Sequence, residues 1–131
     1  MSNGITTSAL FYGGDTLTAK VANAESWNGS AWTEVGDLNQ ARASGANAGN
    51  SGNTVGLLSG GRDPSAAVAL NESWNGSSFT EVNDVSTARF TGAPAHNSSS
   101  IDALLAGGNP GNSNATEEWT ADNALSTVTL S

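Results

Sequence analysis

His96 is the only histidine of the chain, and the only side chain whose ordinary pKa lies close to neutrality. It sits in "GAPAHNSSS", a run of turn-forming residues, and reads as a solvated loop residue before it reads as a base or ligand. A soft-metal site needs further histidines or cysteines, and the chain has no Cys. Ser98, Ser99 and Ser100 lie nearby, but the Gly-x-Ser-x-Gly elbow that exposes a nucleophilic serine is missing. The aspartates follow no cation-loop spacing. The expectation is a non-enzymatic chain with no cofactor, no metal and no catalytic residue.

What remains for these side chains is ligand contact. Tyr12, Asp15, Arg62, Asp63, His96 and Asp102 each interrupt a pattern that the rest of the chain repeats, and they are the candidate ligand-binding residues. Phe90, Glu117 and Asp122 also have no counterpart elsewhere. Few clustered cations are available to hold an anionic polymer or surface. Lys and Arg total 4 against 12 Asp and Glu, a net charge of -8, so nucleic acid and anionic membranes are excluded as partners.

The elements that must carry these residues are set by an internal repeat, the first thing to look for in such a chain. Gly13-Gly14, Gly60-Gly61 and Gly107-Gly108 recur at intervals of 47 residues, each closing an apolar run: "ALFYGG", "VGLLSGG" and "ALLAGG". "ESWNGSAWTEV" at 25–35 returns as "ESWNGSSFTEV" at 72–82, and 14 of 22 positions agree between 25–46 and 72–93. Trp27 and Trp74 hold one place in this repeat, and Trp119 follows two residues early. Arg42 and Arg89 open "AR-x-[ST]-G-A" segments. Glu25, Glu72 and Glu118 recur as well, as do Glu34 and Glu81. Charges that recur in this way anchor turns or pair with the recurring arginines.

Asn28-Gly29 lies between two short alternating segments, the signal of a hairpin with a two-residue type I′ turn. That turn pairs Trp27 with Ser30 and Glu25 with Trp32, leaving Trp27 and Trp32 diagonal on one face. Trp74 and Phe79 take the same places in the second copy. The runs before each Gly-Gly are apolar on both faces, as in a strand covered from both sides. The "AR" segments add a small-residue strand. No helical period occurs. Each repeat therefore reads as four short strands, except the first, which lacks the Arg-led strand and offers about three.

These residues together resemble the kelch-type β-propeller blade. In that family an Arg precedes the first strand, Gly-Gly ends the second, an aromatic and Glu mark the third, and Trp begins the fourth. The Asn, Ser, Gly and Thr richness and the compact Trp-Asn-Gly turn are similar to propeller repeats of marine phage and environmental bacteria. The resemblance implies one all-β repeat domain over 1–131: an incomplete blade 1 at 1–37, blade 2 at 38–84 and blade 3 at 85–131.

Closed propellers carry four to eight blades, so about three per chain leave edges and aromatic faces uncovered. A second chain placed head-to-tail completes six. A piece of a longer propeller, or a stacked assembly, are the other ways to cover those faces. The expected function is structural or adhesive, with a second copy of the chain as partner, in a virion or outside a cell. "MSNGITTSAL" has no basic start and no apolar core, so no secretory signal is expected. The alternatives are glycan binding in loops between blades, with virion proteins or glycans as further partners, and a fragment of a galactose-oxidase-like or sialidase-like enzyme. One Tyr, one His and so few arginines disfavour the last.

Overall fold

The computed structural model describes residues 1–48, 52–94, 102–111 and 113–120, and the backbone of 126–128. Among the described residues there are strands and turns and no helix. Twelve strands among the described residues form three antiparallel sheets in simple up-and-down order. The first holds β1 (Ser2–Ile5), β2 (Ser8–Asp15), β3 (Lys20–Trp27) and β4 (Trp32–Val35). The second holds β5 (Ala46–Ala48), β6 (Gly56–Ser59), β7 (Asn71–Trp74) and β8 (Phe79–Val82). The third holds β9 (Ala93–Pro94), β10 (Asp102–Ala106), β11 (Thr116–Thr120) and β12 (Ser126–Val128). The leading strands β1, β5 and β9 neighbour one another in turn.

The first sheet has four strands, not the three expected from sequence. Ser2–Ile5 folds back on β2 through Thr6 and Thr7, with Ile5 opposite Ser8 and Ser2 opposite Phe11. A tight hairpin does the work that an Arg-led linker does in the other two sheets. The segment is too short, and its Gly4 too featureless, to show the alternation by which a strand is recognised.

The aromatic hairpin also differs from its expected register. Trp27 lies directly opposite Trp32, and Trp74 directly opposite Phe79. The connections are therefore four residues long, 28–31 and 75–78. The Asn28 carboxamide oxygen accepts the N–H groups of Ser30 and Ala31, both at 2.9 Å. Asn75 does the same for Ser77 and Ser78, at 2.9 and 3.0 Å. An asparagine side chain that caps two amides mimics a turn of backbone and closes the larger loop. Of the central residues only Gly29 and Gly76 take positive φ, at 94° and 95°, so the type I′ turn is not formed. Direct opposition brings the rings closer than the diagonal would: 5.5 Å between the Trp27 and Trp32 centroids, 4.8 Å between Trp74 and Phe79.

Side chains alternate across each strand, so every sheet has two faces. Leu10, Tyr12 and Ala24 of the first sheet pack against Leu58, Trp74 and Phe79 of the second, with Leu38 of the linker closing the seam. Ala48 and Leu57 on the other face of the second sheet pack against Ala103 and Trp119 of the third. β6 is buried along its length, as its continuous apolar run requires. The three sheets form an open stack with one sheet face left at each end.

The Gly-Gly pairs hold these seams shut. Gly60 has φ of 62°, and a Cβ there would lie 2.4 Å from the Arg89 carbonyl oxygen. Gly13, at φ of 58°, has the Arg42 carbonyl at 2.7 Å from its own absent Cβ. Only glycine combines that conformation with that approach. The next N–H completes the joint: Gly14 donates to Arg42 O at 3.0 Å and Gly61 to Arg89 O at 2.8 Å.

Candidate functional site

One repeat position has two fates. Leu58 and Phe11 stand 47 residues apart on equivalent strands, yet Leu58 is 0% exposed and Phe11 45%. Leu57 and Leu104 are likewise equivalent, at 0% and 39%. Phe79 is 7% exposed where its counterpart Trp32 is 51%. The exposed members are those on the two end faces of the stack. On the first sheet, Ala9 and Phe11 of β2, Glu25 and Trp27 of β3, and Trp32 and Glu34 of β4 share one face by register. On the third, Asp102, Leu104 and Ala106 of β10 share the far face with Glu118 and Thr120 of β11. Each internal seam joins a face of the first kind to a face of the second.

The seams contain buried charge. Arg42 is fully buried and pairs with Glu72, which is also buried. Its Nε donates to Gly60 O at 3.0 Å, while Asn39 offers Glu72 both a backbone and a side-chain N–H at 2.8 Å. Arg89 pairs with Glu117 in the same way, and the Ser86 N–H donates to that carboxylate at 2.7 Å. Glu117 is thus the third member of the recurring set, and Glu118 is not. Sequence aligned the wrong one because both precede Trp119; the E-x-W spacing shared with Glu72 and Trp74 picks out Glu117. In the first sheet this place belongs to Glu25. It is exposed, lies directly opposite Glu34, and forms no ion pair among the described residues.

The remaining candidates divide by place. Asp15, Arg62 and Asp63 come together at the Gly-Gly end of the sheets. Both carboxyls there are held below the usual carboxylate range. For Asp15 the main cause is the hydrogen bond from Lys20, then the Leu17 N–H; for Asp63 it is the N–H groups of Ala66 and Ser65. Arg62 lies near both carboxylates, and its guanidinium sits 5.8 Å from the centre of the half-buried Phe90 ring. A shallow open cleft beside it is lined by Asp15, Leu17, Thr18, Ala19, Lys20 and Pro64.

Tyr12 belongs to no site. Its ring is buried edge-on to Phe79 at 5.2 Å, filling the first seam, and burial raises its pKa although nearby Arg42 opposes the rise. Sequence marked it because it replaces the small Ser59 and Ala106; the larger side chain is a packing substitution. Asp102 opens β10, whose far end runs into Gly107, so it lies at the opposite end of the sheets from Asp15, Arg62 and Asp63. His96 and Asp122 lie outside the described residues. Sequence reasoning missed Phe11 and Leu104, although their 47-residue spacing from Leu58 and Leu57 was there to be read.

Among the described residues no three His, Cys, Asp or Glu side chains gather in a metal-binding group, and no helix is long and apolar enough to cross a membrane. No protein-family model matches the chain, and no curated protein matches it.

Proposed function

We propose that the chain is a self-assembling, kelch-like β-propeller module with a structural or adhesive role, completed to six blades by a second copy. One observation carries this reading: the two uncovered faces are the two halves of the internal seam. Phe11, Trp27 and Trp32 present what Leu58, Trp74 and Phe79 present inside the chain, and Leu104 presents what Leu10 and Leu57 present. A face whose equivalents are buried twice over in the same molecule is built to be covered. Laid head-to-tail, the third sheet of one copy covers the first sheet of the next, and two copies close the ring. The kelch likeness is supported by the parts its repeated residues play: Arg and Glu pair in each seam and Gly-Gly admits the neighbouring backbone. An acidic, Lys-poor surface suits a component of a virion or of the extracellular medium, where it resists nonspecific adhesion.

The test uses two variants, Phe11→Asp and Leu104→Asp, followed by native mass spectrometry and sedimentation. Each places a charge in one half of the seam, and each alone weakens the dimer by about 100-fold or more. Mixed one to one, the two variants regain a dimer, because one seam then joins two intact faces. Dimers unaffected by either change, or a wild-type chain monomeric at high concentration at every pH, would refute the reading.

Glycan binding is the second reading, favoured by Arg62 and Phe90 sharing an exposed patch with the Asp15 cleft. Asp15 and Asp63 are occupied by their own turns, so Arg62 is the residue to change. Arg62→Ala should abolish signal on a glycan array; a wild-type chain that binds no glycan on a broad panel rules this reading out.

A further inference from the structure

We infer that closure of the ring is controlled by protonation of Glu25, so that copies associate in mild acid and separate at neutral pH. The inference rests on the assembly reading above and names its regulation. In each internal seam the glutamate of this repeat position is buried and neutralised by an arginine: Glu72 by Arg42, Glu117 by Arg89. Covering the first sheet with a second copy buries Glu25 in the same way. No arginine comes with that copy. The chain has only four Lys and Arg residues, its Met1 ammonium donates to Tyr12 O, and its one histidine, His96, lies outside the described residues. Arg42 and Arg89 are buried in their own pairs, Lys20 is bound to Asp15, and Arg62 lies against Phe90 at the Gly-Gly end.

The other groups at the closing seam add negative charge. On the first sheet, Glu34 stands directly opposite Glu25, β1 contains no charged residue, and the other charged residues of β2 and β3, Asp15 and Lys20, pair with each other at the Gly-Gly end. On the covering sheet, β10 brings Asp102 and β11 brings Glu118, and β9 and β12 contain no ionisable residue. Burial beside like charges favours the neutral carboxylic acid. Glu25 therefore binds its proton more tightly in the ring than in the free chain. A group of that kind favours assembly fully below its value in the free chain and loses its contribution as pH rises through the higher value in the ring. Glu34 matters less, since its equivalent Glu81 stays exposed in the covered second sheet.

The dimer dissociation constant, measured by sedimentation between pH 4.5 and 7.5, reads the effect. Two Glu25 side chains per ring give a weakening of up to about 100-fold per pH unit, tenfold for each proton released. Glu25→Gln should dimerise at least about tenfold more tightly at pH 7 and lose most of the slope. Glu34→Gln removes the same net charge and should change little, which separates the seam from general repulsion between acidic chains. His96→Gln should leave the slope in place. A dimer with no pH dependence, or one that Glu25→Gln and Glu34→Gln strengthen equally, overturns the inference and leaves the assembly reading standing. Absence of any dimer in wild type and Glu25→Gln alike, at all pH values, overturns both.

Discussion

Arg42→Met should destabilise the folded chain by about 3–5 kcal/mol, measured as a shift in denaturant midpoint at constant slope. The size follows from what is left behind. Glu72 stays buried beneath the first sheet and loses its cation, retaining only the two donors of Asn39. Gly60 O also loses the Arg42 Nε–H, and a carbonyl buried without a donor carries its own cost. Removing both charges is cheaper than removing one, so Arg42→Met with Glu72→Met should be more stable than Arg42→Met alone. If Arg42→Met costs less than about 1 kcal/mol, the pair is a surface interaction in solution and the seam is not packed as described.

Phe79→Ala and Trp32→Ala form the second test, since the two residues hold one repeat position in different surroundings. Phe79 is wedged between Trp74, 4.8 Å away, and Tyr12, 5.2 Å away, and spans the first seam. Its removal leaves a cavity between two sheets, a loss of about 3–5 kcal/mol. Trp32 faces water over half its surface, so Trp32→Ala should cost the single chain about 1 kcal/mol or less. The same change should weaken the proposed dimer, because Trp32 is a large aromatic on the face that a second copy would cover, and aromatics of this kind carry much of the binding energy of interfaces. Equal effects on folding from both variants would show that the first sheet is already covered within one chain. A Trp32→Ala protein that dimerises as wild type does would show that this face is not the contact.

Much of the architecture could be read before any coordinates. Three Gly-Gly pairs at equal spacing mark the ends of β6 and β10 and the register shift within β2, because only glycine takes positive φ beside a neighbouring carbonyl. The aromatic hairpins were legible from Trp-Asn-Gly, though not their register. Whether asparagine enters a two-residue turn or caps a four-residue loop depends on which amides its side chain reaches, and the letters do not state that. The first strand was invisible for a related reason. Ser2–Ile5 has little apolar character of its own, and only pairing with β2 makes it a strand.

The candidate site was less legible, and the misses share a cause. Tyr12, Asp15, Asp63 and Asp102 were singled out for being unlike their counterparts, yet Tyr12 is core and the two carboxylates at the Gly-Gly end serve local turns. Phe11 and Leu104 went unnoticed for being ordinary members of the repeat. The sequence by itself determined the period and the all-β character, because these are properties of one unit and its letters. Only the tertiary structure decided which copy of each apolar residue is covered. Burial belongs to a place in the stack, and a residue with the same neighbours in sequence meets a sheet on one side in the middle and water at the end.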